Sequence, residues 1–216
     1  MSDSREGILS RIRAALDVAL LPDAREDHPV NNVPRASDGL DDFVREVEAL
    51  SGQVLRVANA AEAAQKVADL CAQNGWTQAL SWSPEEIGVE GLDQALIDAN
   101  VTLFTEGTPE ALKEIPVGIT GADAGLADTG TIVVQNGAGK SSLASLLPPV
   151  HIALLRADAI YPDMLAYWES IGDAAEHVRQ TSNHVFISGP SRTADIEQRL
   201  TLGVHGPREL YVIVWG

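Results

Sequence analysis

The sequence predicts an α/β fold, a mainly parallel sheet flanked by helices, with an N-terminal helical arm. Three observations carry that expectation. From residue 40 onward, segments with a helical apolar period alternate with short apolar runs of strand length. Glycine follows several of the periodic segments, as it does where helices stop. Before residue 40, the stretch PDAREDHPVNNVPRASD (22–38) holds three prolines and no apolar period, and so reads as an extended linker.

The elements follow in order. SREGILSRIRAALDVAL spaces Ile8, Ile12, Leu16 and Ala19 as one face of an amphipathic helix, which needs a surface to lie on. The linker then divides the chain into an arm (1–38) and an α/β domain (39–216). LDDFVREVEALSG is a helix closed by Gly52, QVLRVAN a strand, AAEAAQKVADLCAQNG a helix ending at Gly75, and TQALSW a strand. Leu92 to Ala99 can form a helix, Val101 to Phe104 a strand, and Pro109 to Glu114 a helical turn. VHIALL (150–155) reads as a buried strand, and Pro162 to Ile171 as a helix with an apolar stripe of Tyr161, Leu165 and Trp168. HVFIS (184–188) and ELYVIVW (209–215) complete the strands. Residues 118 to 139 interrupt this rhythm with Gly118, Gly121, Gly125, Gly130, Gly137 and Gly139, a density that marks turns or close backbone approach. Here VGITGADAGLADTGTIVV suggests strand, tight crossing and second strand, with Thr129-Gly130-Thr131 at the crossing.

Composition narrows the partners. Fifteen basic residues against thirty-one acidic ones leave a net charge of −16, which opposes binding to nucleic acid or to an anionic membrane surface. The single cysteine, Cys71, rules out an internal disulfide framework or a four-thiolate metal site within one chain. It shares a helix face with Ala64, Val67 and Ala68 and is expected to be a packed structural thiol. No apolar run resembles a signal peptide or a membrane span, so a cytoplasmic setting is expected, and no metal site is assigned.

Several constellations invite a chemical reading. QNGAGKSS (135–142) follows a strand and ends like a phosphate-binding loop at Gly139, Lys140 and Ser141. The opening glycine of that motif would fall where Val134 stands, so a Gly/Asn turn with a solvated lysine is the expectation. In ISGPSRTADIEQRL (187–200), Gly189-Pro190 turns the chain after a strand, and Ser191 or Thr193 can cap a helix running through Ile196 and Leu200. Ser188, Ser191, Arg192 and Thr193 could hold a small anion at that helix start, with Gly189 in the turn; alternatively, Arg192 simply pairs with Asp195. His205, set among Gly203, Gly206 and Pro207, and the loop carboxylates Asp123 and Asp128 are the candidate acid/base groups, with turn formation as the plainer alternative. His28 and His177 are expected to be solvated, His151 and His184 to be neutral core histidines.

In the order ITGADAGLADTGTIV, SLLPPVHI, SGPSRTADIE and GVHGP, the chain resembles the LUD-domain (DUF162) proteins of the lactate utilisation protein C type, over roughly residues 40 to 216. The resemblance implies the fold shared by ribose-5-phosphate isomerase, glucosamine-6-phosphate deaminase and coenzyme A transferases. It implies functional positions at Thr120, Asp123, Asp128, Thr129, Gly130 and Thr131 in the first motif. In the third it implies Ser188, Ser191, Arg192, Thr193, Asp195 and Glu197. It further implies a part in oxidising L-lactate to pyruvate as an accessory subunit, beside partner proteins that carry the iron–sulfur clusters, with no cofactor in this chain. A stand-alone isomerase or acyl-transfer enzyme on a small phosphorylated or carboxylated metabolite is the alternative expectation. A nucleotide site at Lys140 is a third.

Overall fold

The computed structural model describes residues 2–18, 39–172, 181, 183–193, 201–203 and 205–216. The expected linker, His28, His177, and the segment 194–200 with Asp195, Ile196, Glu197 and Leu200 lie outside the described residues. The chain divides into two units, residues 1–34 and 35–216. The first contains helix α1 (Ser2–Val18), as its apolar spacing predicts.

In the second unit, helix α2 (Gly39–Ala49) leads to β1 (Gln53–Val57), α3 (Ala60–Asn74), β2 (Gln78–Ser81), and the short helices α4 (Pro84–Ile87) and α5 (Leu92–Asp98). Next come β3 (Thr102–Phe104), α6 (Pro109–Leu112), β4 (Val117–Ala122), β5 (Ala124–Leu126), β6 (Thr131–Asn136), α7 (Leu143–Leu146) and β7 (Val150–Arg156). The chain closes with β8 (Ile160–Tyr161), α8 (Met164–Ile171), β9 (Asn183–Ile187), β10 (Arg192–Thr193), β11 (Thr201–Leu202) and β12 (Glu209–Trp215).

The main sheet runs in the order β1-β12-β7-β4-β2-β3, and every neighbouring pair is parallel. Parallel strands need crossovers, and helices supply them by covering the sheet faces. Central β7 shows the consequence in its sequence: residues Val150 to Leu155 are all buried, so the strand is an almost unbroken apolar run. Helix α3 starts on Asn59, whose side chain accepts from Glu62 N at 3.0 Å, while the Glu62 carboxylate accepts from Ala58 N. These reciprocal bonds satisfy donors that a helix start leaves unpaired. Gly75 ends the helix at φ +67°, a left-handed conformation that suits glycine. Cys71 is fully buried on the predicted face, and burial pushes its thiol up to about 11, which keeps it protonated.

The sequence reading missed a second sheet, of order β8-β5-β6-β9. Its strands β5 and β8 are three and two residues long, too short to display a period. The expected simple crossing is therefore three strands, with β4 in the main sheet and β5 and β6 in the second. Helix α8 also differs from expectation: it buries Tyr167 beside Ala124, Leu126 and Val133, whereas Leu165 is 43% exposed. Asp163 sets this register by accepting from Ala166 N at 2.7 Å, so the helix begins two residues later than Pro162.

One glycine contact fixes how α7 lies on the main sheet. A Cβ at Gly118 would stand 1.8 Å from Ala144 O. Backbone cannot retreat from such an overlap without shifting α7, so Gly118→Ala is expected to cost about 3 kcal/mol, the upper range for overpacking. Urea unfolding of the full chain measures it; a loss below about 0.5 kcal/mol would mean that α7 moves aside freely.

Candidate functional site

The two motifs flanking α2 in space build the site. Helix α2 buries Phe43 and Val47, and its last turn is met by two glycines from distant segments. Gly130, at φ +59°, lies so close that a Cβ would stand 2.4 Å from Val47 N; Gly189, at φ +83°, would place one 2.9 Å from Leu50 O. Both conformations are strained for a side-chain-bearing residue, and both spaces are closed to one. Arg192 then donates to Leu50 O and, at 3.0 Å, to Ser51 Oγ. It caps the end of α2, where carbonyls lack intrahelical partners.

Arg192, expected at an anion fork, is thus engaged by the end of α2. Arg192 and Thr193 form β10, paired antiparallel with β11; the helix expected after them falls on residues outside those described. Arg192 does not line the cavity below.

With the loops held on α2, four polar side chains fall into line. Thr129 Oγ1 donates to Asp128 Oδ1 at 3.2 Å, meets Thr131 Oγ1 at 2.9 Å, and Thr131 Oγ1 meets Ser188 Oγ at 2.7 Å. Thr131 is only 4% exposed. Ser188, itself exposed, ends this row on the wall of a cavity of about 250 Å³. The same wall carries Gly189, Ser191, His205, Ser145 and His151, with Leu146, Phe186 and Leu210 among its apolar parts. Drug-sized sites run from about 300 to 1,000 Å³, so this space suits a molecule of few heavy atoms.

His151 is a core histidine, as expected, but one that faces the cavity. It is 1% exposed, its Nε2 meets Thr120 Oγ1 at 2.8 Å, and burial pushes the imidazole down to about 4. It is therefore neutral at ordinary pH. A histidine inside the apolar run VHIALL is the sequence signal for this position; Ser145 and the apolar wall carried none.

Asp123 belongs to a separate cluster. Its Oδ2 accepts from Gln135 N at 2.7 Å and its Oδ1 from Lys140 Nζ at 3.3 Å, while Glu86 lies 3.7 Å from the same ammonium. The ammonium also stands 5.0 Å from the centre of the Trp82 ring. Gly137 and Lys140 exchange backbone bonds, so their N–H groups close a tight turn and do not cradle phosphate. The turn matches expectation. The solvated lysine does not: Lys140 is ion-paired, its side chain 22% exposed.

Thus the structure joins Asp128, Thr129, Thr131 and Ser188, and places Gly189, Ser191 and His205 around one cavity. Gly130 serves the packing of α2, Asp123 pairs with Lys140, and Arg192 bonds the end of α2. Among the described residues there is no cluster of three or more metal-binding side chains, and no helix long and apolar enough to cross a membrane.

His151 makes stability depend on pH with a definite sign. Above pH 6.5 the imidazole is neutral in both folded and unfolded chains and contributes nothing to the balance. Below it the unfolded chain takes up a proton that the folded one refuses until about pH 4. Stability is therefore expected to fall from pH 6.5 towards 4, with His151 accounting for about 3 kcal/mol. Urea unfolding at several pH values should show a correspondingly shallower fall in His151→Gln; parallel curves for the two proteins would refute it.

Comparison with known proteins bears on what this geometry belongs to. Residues 40–215 match the model of the LUD domain. A protein named lactate utilization protein C from Halalkalibacterium halodurans is 38% identical over 141 residues, which span 62% of this chain and 61% of that protein. Its namesake from a Geobacillus species is 30% identical over 78% of this chain and 77% of its own length. A crystal structure of a DUF162 family protein from Deinococcus radiodurans superposes with a TM-score of 0.60 at 24% identity, covering 82% of this chain and 96% of that one, and so shares the fold. The domain match takes in both sheets and the residues that line the cavity, and the chain belongs to the LUD-domain family, of the lactate utilisation protein C type.

Proposed function

We propose that this protein takes part in oxidising L-lactate to pyruvate, as an accessory component beside partner proteins that bear iron–sulfur clusters. The observation that carries the reading is the similarity to lactate utilization protein C, 30% identical over 78% of this chain in one relative and 38% over 62% in another. The size of the cavity supports it: about 250 Å³, with hydroxyl and imidazole groups on an otherwise apolar wall. Removing two electrons from a 2-hydroxy acid needs a redox cofactor. One cysteine cannot hold a four-thiolate cluster, and Cys71 is buried with its thiol protonated. The electrons are therefore assigned to partners, and this chain to presenting the hydroxy acid or completing the assembly.

Co-expression with the cluster-bearing proteins of such a system provides the test. Pyruvate formation from L-lactate is expected to require this chain, and the chain to co-purify with them. Equal activity without it, with no co-purification, would overturn the reading.

A further inference from the structure

The row of hydroxyls ending at Ser188 has a direction, and the direction selects a ligand. An ionised carboxylate only accepts hydrogen bonds, and each hydroxyl has one proton to give. Thr129 gives its proton to Asp128 Oδ1. In the contact of 2.9 Å between Thr129 and Thr131, the donor must then be Thr131. At 2.7 Å between Thr131 and Ser188, with the proton of Thr131 already committed, the donor must be Ser188. What Ser188 presents to the cavity is consequently lone pairs.

We infer that Ser188 is a specificity-determining acceptor that binds a small acid through a hydroxyl donor, discriminating a 2-hydroxy acid from the corresponding 2-oxo acid. Asp128, Thr129 and Thr131 act through it as positioning residues. A ketone oxygen at that place would face a second acceptor, and a carboxylate there would be repelled in the same way. The carboxylate is left to the other polar groups that line the cavity, the Ser191 hydroxyl and the His205 ring. This reverses the polarity expected from the sequence, in which Ser188 belonged to an anion site. No bond is made or broken; the claim concerns binding, and the choice of acid rests on the function proposed above.

Titrating the full-length chain with L-lactate and with pyruvate by calorimetry tests it, since the two acids share a carboxylate and differ only at C2. The wild-type chain is expected to bind L-lactate about tenfold more tightly than pyruvate, the worth of one well-placed hydrogen bond. Thr131→Val keeps the buried volume but frees the Ser188 proton to point into the cavity, so the ratio should collapse or invert in favour of pyruvate. Thr131→Ser restores the hydroxyl and should restore the preference, an outcome that a merely structural role for Thr131 would not produce. Equal affinity for the two acids in the wild type, an unmoved ratio in Thr131→Val, or no binding of either acid would each overturn the inference. If the chain is required for lactate oxidation on co-expression but the ratio is flat, this inference falls and the accessory reading stands; if the ratio holds but the chain is dispensable, the reverse is true.

Discussion

Helix α2 could not sit where it does if either Gly130 or Gly189 carried a side chain, because each would drive a Cβ into the backbone of its last two turns. That close seating brings a turn between β5 and β6 and a loop after β9 onto one helix end. Arg192 then closes the arrangement through the free carbonyl of Leu50. Everything polar in the site inherits its position from this packing: Thr131 and Ser188 lie 57 residues apart in sequence, and the backbone on either side of their 2.7 Å contact is held against the same helix. A helix C-terminus with unsatisfied carbonyls thus does two things at once, taking up a cation and setting the geometry of a hydroxyl row.

The cations Lys140 and Arg192 are engaged within the fold, and neither lines the cavity. Although the chain carries a net charge of −16, Lys140 is spent on Asp123, Glu86 and the Trp82 ring, and Arg192 on α2. His151 is kept neutral by burial alone. Recognition by such hydroxyls depends on hydrogen-bond direction, because a ligand group set against an acceptor must supply the proton itself.

Much of this architecture was legible from the sequence because its signals are local. Apolar runs such as VHIALL and ELYVIVW gave strands, periodic segments gave helices, and the density of glycine between 118 and 139 correctly announced close approach. What the glycines approach was not legible, since the partners of Gly130 and Gly189 lie in α2, more than eighty residues away. The same limit explains Arg192. Its neighbours look like a helix start, and only the folded chain brings Leu50 and Ser51 within its reach. The second sheet escaped notice because β5 and β8 are held by tertiary pairing and not by any period of their own.

The loop QNGAGKSS and the loop after β9 both resemble anion-binding places, and one criterion separates them. A phosphate or carboxylate needs donors that are not already engaged. In the first loop, Gly137 N and Lys140 N bond each other's carbonyls, Leu143 N takes the Ser141 hydroxyl at 3.3 Å, and the ammonium sits between two carboxylates. In the second, Ser191 N donates to Pro207 O at 2.8 Å, and the inferred direction of the row sends the Ser188 proton to Thr131. Residue type and spacing are right for anion recognition in both, but the protons of the first loop have been committed within the fold, and in the second those of Ser191 N and, as inferred, of Ser188. What survives in the second loop and not in the first is a set of unspent lone pairs on a cavity wall, and that remainder, more than the motif, determines what the site can hold.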